Sequence, residues 1–487
     1  MPANRIRVAK GSCWPCKKRR VKCDLSKPVC RRCAAGGATC DYNSRLIRWS
    51  TRQSAHVIQV PVVPPAYHGS SISRTAVRLT VSLDVCERQA LDYFHRRVWP
   101  LLSTSKDPCA APTPVALEHR VVLLAACVLS DSHRRLQDGA VSSGGGGGGS
   151  CDGPSERRLE CLSAVRTEIG GCCVDVKGTG PLVALLFAVI LLHFDDGYVG
   201  CTSRTASTSS HHSGVLAILE RLGGIRSVLE TAPEPLHMLI SEFVTTDLTA
   251  SIIRGRPPVF PPEVWDVIDQ GPVWWSKDPL GRVSLASVFR EMASMSLYLE
   301  ATTTTTMAQD FSIERVRRFE AALRPVYAPL TLEDCDCQST SSRSSASPSS
   351  GGEPSAAEME AVHAFTLIRA FQHAALLYLY RAICGLPTRH ALVQQHVKSC
   401  LGSIFEIPRQ AKVLNCAIFP LFLAGCHAVS AEDQMAVMNM VDLLYDHMRF
   451  ASIEAVRSVF KENWHSTQAN TSWFGVFRNL GPNALVL

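Results

Sequence analysis

Apolar residues recur at spacings of three and four along most of the chain after residue 84, and this period is typical of amphipathic α-helices. Two long examples are "VALEHRVVLLAACVLSDSHRRL" and "AVHAFTLIRAFQHAALLYLYRAI". In "AEDQMAVMNMVDLLYDHMRF" six apolar residues share one face of the predicted helix, and we expect this stripe to face the core. Its members are Val437, Met440, Val441, Leu444, Tyr445 and Met448. Alternation of apolar and polar residues, which indicates strands, is scarce. The pattern predicts a large all-α domain over residues 84–487.

Stretches rich in Gly, Ser and Thr interrupt this helical pattern. We interpret them as disordered inserts near residues 139–155, 202–213 and 338–357, with a further threonine run from Thr302. Residues 53–83 contain "VPVVPP" and small polar residues but no sustained heptad, so they are predicted to form a flexible linker rather than a coiled coil.

The length and composition are those of a protein with a sizeable buried core, since 46% of the 487 residues are apolar. The longest apolar run, from Leu182 to Leu192, is about half as long as the roughly 20 residues of a membrane-spanning helix. No apolar segment follows the basic start of the chain. We therefore expect a soluble intracellular protein that does not enter a membrane.

Charge is distributed unevenly along the chain. Residues 1–52 hold 14 Lys or Arg against two acidic residues, Asp24 and Asp41, a net charge of +12. The remaining residues therefore carry −5 of the chain's total of +7. The first tenth of the chain is therefore a basic head on a mildly acidic body.

Six of the 20 cysteines fall within residues 13–40, and they form a repeated pattern. The positions are Cys13, Cys16, Cys23, Cys30, Cys33 and Cys40. The second three repeat the spacing of the first three, which indicates a duplicated metal half-site. Paired thiolates two residues apart suit tetrahedral zinc. Six thiolates are too few for two separate four-thiolate sites, but they complete two sites if two sulfurs bridge.

The basic run "KKRRVK" lies between Cys16 and Cys23. Such a run can be a solvated face or a nuclear-import signal. Here it lies on the short helix that follows the first ligand pair, so its side chains project from a rigid support. This placement favours contact with nucleic acid, with nuclear import as an additional use.

At these residues the chain resembles the fungal binuclear zinc-cluster transcription factors, and every cysteine spacing agrees with their pattern. The resemblance implies a small domain of two short helix–loop units over residues 1–52. It also implies two zinc ions per chain, one held by Cys13, Cys16, Cys23 and Cys30 and the other by Cys30, Cys33, Cys40 and Cys13. Pro28 takes the place of the family's loop proline, so Lys27-Pro28 is a candidate cis peptide.

The resemblance also implies roles for the basic residues. Arg20, three residues before the third cysteine, and Arg19 beside it would read a CGG triplet in the major groove, where an Arg fork can bond guanine O6 and N7. The residues assigned to the DNA backbone are Lys17, Lys18, Lys22, Arg31, Arg32, Arg45 and Arg48.

The body of the chain resembles the second type of fungus-specific transcription-factor regulatory domain. The phrases that carry this likeness include "ERQALDYFHRRVWPLLS", "HHSGVLAILERLGG", "ALLYLYRAICGLP" and "FPLFLAGCHA", in that order. The resemblance implies an all-α domain that controls activation, by binding a metabolite or another protein.

Other polar candidates give no sign of catalysis. His193, Asp195 and Asp196 do not share one helix face and are interpreted as helix-end residues, whereas His211 and His212 are interpreted as a loop pair without companion ligands. No nucleophile elbow or dinucleotide fingerprint appears, so we expect no enzyme.

The leading hypothesis is a nuclear regulator of RNA polymerase II transcription that binds double-stranded DNA at CGG-containing promoters. It would act with the transcription machinery or coregulators, as a monomer or a homodimer, on a metabolic or secondary-metabolite gene cluster. The alternative is a zinc-stapled interaction protein or corepressor that binds nucleic acid without sequence preference.

Overall fold

The structure is a computed structural model, and it describes residues 13, 15–16, 19, 21–36, 40, 46–48, 57–59, 83–102, 109–141, 156–174, 179–271, 283–304, 311–325, 356–465 and 472–487. The chain divides into two compact units, Met1–Arg88 and Gln89–Leu487. All statements below refer to the described residues.

The N-terminal unit contains helix α1 (Arg31–Ala35) and two short strands, β1 (Leu46–Arg48) and β2 (Val57–Gln59). The strands pair antiparallel, with Ile47 opposite Ile58. The predicted linker over residues 53–83 therefore includes one paired strand. The prediction of flexibility for residues 60–82 lies outside the described residues.

The other elements are helical. They begin with α2 (Val85–Tyr93), a π-helical turn (Phe94–Val98), α3 (Trp99–Leu102), α4 (Thr113–Glu118), α5 (Arg120–Val141), α6 (Glu156–Val174), α7 (Gly180–Phe194), a second π turn (Asp195–Val199), α8 (Thr208–Arg221), α9 (Ile225–Thr231), α10 (Glu234–Arg254) and α11 (Val264–Asp269). They continue with α12 (Leu285–Thr304), α13 (Ile313–Ala322), α14 (Ala356–Tyr378), a third π turn (Leu379–Ile383), α15 (Ala391–Glu406), a 3-10 turn (Lys412–Cys416), α16 (Ile418–Cys426), α17 (Ala431–Met448), α18 (Ala451–His465) and a last 3-10 turn (Phe474–Phe477). The all-α prediction for the large unit is confirmed.

Helices α7 and α10 form the centre of the first half of this unit. Helix α7 packs against α5, α6 and α8, and it is apolar on all sides because neighbours surround it. Both Gly180–Val199 and Glu234–Arg254 are long and apolar enough to cross a membrane, yet 89% of each apolar window is buried inside the unit. This burial is typical of interior helices of a folded domain.

The second half is built around α14, which packs against α15 and α16. The stripe predicted on α17 is the core-facing side of that helix, since Val437, Val441, Leu444 and Met448 are buried. The other two members of the predicted stripe, Met440 and Tyr445, are half-buried at its edges.

The insert predicted at residues 202–213 is not disordered, so that part of the prediction is wrong. Residues 208–213 form the first turns of α8, and Thr208 is buried. The backbone N–H and the hydroxyl of Thr208 donate to Asn483 Oδ1 at 3.2 and 3.0 Å. A partner that lies 275 residues away supplies the order, and local composition does not reveal it.

The other predicted inserts fall mostly outside the described residues, namely at 142–155 and 338–355. The threonine run from Thr302 continues helix α12 as far as Thr304.

Candidate metal centre and nucleic-acid interface

The six cysteines of the N-terminal unit converge on one small core. The sulfur-bearing residues Cys13, Cys16, Cys23, Cys30 and Cys33 are buried. Cys40 is half-buried and packs against the same core. In this unit the cysteines take the place that Leu, Ile or Val occupy in an ordinary hydrophobic core.

The sulfur atoms form two groups of four that share two members. One group is Cys13, Cys16, Cys23 and Cys30, and the other is Cys13, Cys30, Cys33 and Cys40. Within each group all sulfurs lie within 4.8 Å of one another. These are the two ligand sets that the family resemblance implied, with Cys13 and Cys30 in both.

Sulfur–sulfur distances test whether this donor set fits zinc. Four thiolates at about 2.3 Å from a tetrahedral zinc are about 3.8 Å apart. The Sγ atoms of Cys13 and Cys30 are 3.6 Å apart, those of Cys16 and Cys30 3.6 Å, and those of Cys13 and Cys23 3.9 Å. The six residues therefore fit a pair of zinc ions bridged by two sulfurs.

Backbone N–H groups point at several of these sulfurs. Cys33 N–H donates to Cys30 Sγ at 3.3 Å, which caps the start of α1, and Cys30 N–H donates to Cys40 Sγ at 3.3 Å. Leu25 N–H donates to Cys23 Sγ at 3.4 Å. Donors of this kind orient metal ligands and disperse thiolate charge. The cis peptide predicted at Lys27-Pro28 is confirmed.

Burial governs how the thiols ionise. It raises the pKa of Cys13 and Cys40, and it raises that of Cys16 to about 12. Burial also opposes ionisation of Cys30, but the Cys33 N–H and the neighbouring thiols outweigh it and lower the Cys30 pKa to about 6. Zinc must therefore displace protons from most of these sulfurs, so its binding weakens as the pH falls.

Arg19 folds back onto the cysteine core. Its guanidinium donates to Cys33 Sγ at 3.5 Å and to the Pro15 carbonyl at 3.3 Å. A Cβ at Gly36 would lie 3.0 Å from Arg19 Nη1, so a small residue at position 36 leaves room for this arrangement. Arg19, one of the two residues predicted to read DNA bases, thus also donates a hydrogen bond to a cysteine sulfur of the core.

The other basic residues are only partly described. Lys22, Arg31 and Arg32 are exposed, and the two arginines start α1. The side chains of the other residues assigned to DNA lie outside the described part of the chain. These residues are Lys17, Lys18, Arg20, Arg45 and Arg48.

Asp24 is a residue of this unit to which the sequence assigned no role. Its carboxylate accepts hydrogen bonds from the Ser26 hydroxyl and from the Arg31 N–H, the latter at 3.2 Å. The Ser26 bond and the backbone N–H groups lower the Asp24 pKa despite the opposing effect of burial. Asp24 therefore links the first half-site to the start of α1, and the short "DLS" turn pattern was its sequence signal.

A second polar cluster lies in the helical unit. Arg158 on α6 donates to Asp195 Oδ2 and Asp196 Oδ1, both at 2.6 Å, and all three residues are buried. His211 Nε2 lies 3.2 Å from Asp196 Oδ2, so the interpretation of His211 as a loop residue without a companion is wrong. Burial raises the pKa of Asp195 to about 6.

His212 has a similar environment. Its Nε2 lies 3.1 Å from Asp247 Oδ1, and Arg256 donates to the same oxygen at 2.8 Å. Among the described residues, the groups of metal-binding side chains are the two sets of cysteines alone. The His–Asp pairs thus hold helices together, which the sequence did not predict.

Comparison with protein families agrees with this division. The family model described as "Fungal Zn(2)-Cys(6) binuclear cluster domain" matches residues 11–50, and the one described as "Fungal specific transcription factor domain" matches residues 89–486. No curated protein and no solved structure matches the chain. The second match covers far more than half of the sequence. The chain belongs to the fungal zinc-cluster transcription factors, which are DNA-binding regulators with two zinc ions in the cluster domain.

Proposed function

We propose that residues 1–52 recognise CGG-type triplets in the major groove of promoter DNA. The observation that carries the proposal is the pair of four-sulfur groups sharing Cys13 and Cys30, since the basic segment lies in the sequence between Cys16 and Cys23 of the first half-site. In this assignment all six cysteines hold zinc, and the metal supplies the rigidity that the few apolar residues of the unit do not.

Arg20 and Arg19 are the base-reading residues in this proposal. Arg20 makes the larger contribution, since the Arg19 guanidinium is already engaged by Cys33 Sγ and the Pro15 carbonyl. An Arg fork that bonds guanine O6 and N7 discriminates this base from the others.

The remaining basic residues contact phosphates and set the orientation of the unit. Exposure of Lys22, Arg31 and Arg32 supports this role for the described members. We assign Lys17, Lys18, Arg45 and Arg48 to the same surface because they share the excess positive charge of the head.

The regulated process is transcription by RNA polymerase II in the nucleus. The large all-α unit receives a regulatory signal and contacts coregulators, and the target is a metabolic or secondary-metabolite gene cluster. The domain boundaries that we assign are 1–52 for DNA binding and 84–487 for regulation, with 53–83 between them.

A matched pair of variants in the full-length, zinc-loaded protein tests base reading. We expect Arg20→Ala to cost about 1–3 kcal/mol of binding to a CGG duplex and little on a scrambled duplex. Lys22→Ala, two residues away, should weaken binding to both duplexes similarly and lower the salt slope by about one. Fluorescence anisotropy at several salt concentrations measures both effects.

The same measurement can also favour the alternative, in which the head binds nucleic acid without sequence preference. If Arg20→Ala weakens binding equally for every sequence, the head binds nucleic acid without readout. The zinc-stapled interaction protein or corepressor then becomes the better description.

A further inference from the structure

The two half-sites of the zinc cluster are related by an internal duplication, and one pair of equivalent positions differs sharply in size and charge. The cysteines of the second half-site follow those of the first at a constant offset of 17 residues. At the same offset, Arg19 of the first half-site corresponds to Gly36 of the second. A long basic side chain and the smallest residue therefore take equivalent places in the two halves.

These two equivalent residues face each other in the fold. A Cβ at Gly36 would lie 3.0 Å from Arg19 Nη1 and 3.3 Å from the Arg32 carbonyl oxygen. Carbon atoms in contact prefer larger separations, so even an alanine at position 36 would displace the Arg19 guanidinium. The backbone at Gly36 has φ −102°, a value that other residues also adopt. Space for Arg19 is thus what the missing side chain provides.

The Arg19 guanidinium joins the two half-sites. Its Nη2 donates to Cys33 Sγ at 3.5 Å, and its Nε donates to the Pro15 carbonyl at 3.3 Å. Arg19 belongs to the basic segment of the first half-site, whereas Cys33 lies on α1 in the second. The backbone N–H of Arg19 also donates to the Pro15 carbonyl, at 3.1 Å, so the side chain extends from a helical turn. The basic segment is therefore tied to a ligand of the second half-site.

Charge favours this contact when zinc is bound. Six thiolates carry more negative charge than two zinc ions carry positive charge, so the loaded cluster is anionic. The other donors to sulfur described above are backbone N–H groups, whereas Arg19 brings a full positive charge to Cys33 Sγ. A donor to a ligand atom fixes its orientation and stabilises the bound metal.

We propose that Arg19 is a positioning residue that fixes the basic segment to the second half-site through Cys33, and that Gly36 is required to admit its guanidinium. The inference rests on the proposed function and deepens it, because the orientation of the basic segment decides where Arg20 meets the DNA. An arginine has more N–H donors than the bonds to Cys33 and Pro15 use, so Arg19 can contact DNA as well.

Gly36→Ala tests the link without altering Arg19 itself. The added methyl group should move the guanidinium away from Cys33 and leave every cysteine and every basic residue in the chain. In the full-length zinc-loaded protein, we expect zinc transfer to a chromophoric chelator to become about tenfold faster. In the cadmium-loaded protein, NMR should show a larger shift for the metal coupled to the Cys33 and Cys40 protons than for the other metal.

Binding to a CGG duplex distinguishes positioning from direct contact. If Arg19 acted on DNA by direct contact alone, release of its guanidinium by Gly36→Ala would leave the affinity unchanged or raise it. Because positioning is lost, we expect the affinity for CGG to fall by about fivefold instead. Arg19→Lys should act in the same direction, since lysine keeps the charge but lacks the planar fork that bonds a sulfur and a carbonyl together.

Ala35→Ser is the matched control. Ala35 is exposed on α1, two residues after the buried Cys33, so one added oxygen there should leave zinc transfer and DNA binding unchanged. A double-mutant cycle gives a second control against a merely local disturbance. Gly36→Ala should have little further effect in an Arg19→Ala background, because the side chain that it displaces is absent.

Two results would overturn the inference. One is a Gly36→Ala protein whose zinc transfer and cadmium resonances match those of the wild type, since the link to Cys33 would then contribute nothing. The other is additivity of Gly36→Ala and Arg19→Ala in zinc transfer, which would show that Gly36 does not act through Arg19. Zinc transfer involves no DNA, so it tests the link even if the wild type shows no preference for CGG, the result that would defeat the proposed function.

Discussion

Two carboxylates of the helical unit, the buried Asp196 and the half-buried Glu242, differ in how their charge is compensated. Asp196 is engaged by Arg158, His211 and the Ser207 N–H, and together these outweigh the effect of burial and lower its pKa. Among the described residues, the half-buried Glu242 accepts a hydrogen bond from the Tyr198 hydroxyl alone, and desolvation raises its pKa to about 7. The two groups should have opposite effects on stability as the pH changes.

The pH dependence of stability tests the state of Glu242. Its pKa rises from 4.5 to about 7 on folding, so the folded protein holds this proton more tightly than the unfolded chain. Between these values the free energy of unfolding should fall as the pH rises, by about 3 kcal/mol in total. Chemical denaturation of the wild type and Glu242→Gln from pH 4.5 to pH 8 measures the difference.

Glu230→Gln, at an exposed glutamate of α9, serves as the control for this profile, because removal of an exposed carboxyl should leave the pH dependence unchanged. Parallel pH profiles for the wild type and Glu242→Gln would contradict the raised pKa.

At the scale of elements, side-chain clamps join helices that are far apart in sequence. Arg158 joins α6 to the second π turn, and His211 joins α8 to the same turn. Arg254, at the end of α10, donates to the carbonyls of Gly481 and Ala484 at 3.2 and 3.1 Å. These contacts fix the positions of helices whose apolar faces alone would allow several arrangements.

Two neighbouring arginines on α6 allow a matched test of the clamp. Arg158→Ala leaves Asp195 and Asp196 buried without their main cation and should cost about 3–5 kcal/mol of stability. Arg157 pairs with Asp131 in a partly exposed position, so Arg157→Ala should cost about 1 kcal/mol or less. Thermal or urea denaturation measures the loss of unfolding free energy in each variant. Equal losses in the two variants would show that the buried ion pairs of Arg158 stabilise the fold no more than the partly exposed pair of Arg157.

An element could be predicted from the sequence where the interactions that form it are between residues close together in the chain. The core-facing stripe of α17 follows from a local period, and Val437, Val441 and Leu444 are buried as expected. The start of α8 depends on Asn483, so its composition was misinterpreted as disorder. Local patterns carry no information on partners that the fold brings together.

At the scale of the whole molecule, two different physical effects stabilise the two units. The helical unit buries a large apolar core around α7, α10 and α14. The N-terminal unit has a core made of cysteines, so its folding free energy must come mainly from metal binding.

Chelation of zinc should therefore unfold the N-terminal unit and leave the helical unit folded. We expect removal of two zinc equivalents by EDTA to unfold residues 13–40, abolish DNA binding and leave the melting transition of the helical unit unchanged. Proteolysis of the N-terminal unit and circular dichroism of the full chain measure the two halves of this prediction. A chelator-induced loss of the helical transition would show that the units depend on each other.

The duplicated cysteine half-sites, the basic segment and the helical character of the body could all be predicted from the amino-acid sequence. These features are encoded over short ranges, by the spacing of Cys13, Cys16 and Cys23 and by the period of apolar residues. The ion pair of Arg158 with Asp195 and the hydrogen bond of Tyr198 to Glu242 could be read from the folded chain alone. The reason is that these contacts join segments tens of residues apart, whose proximity arises from the packing of the whole helical unit.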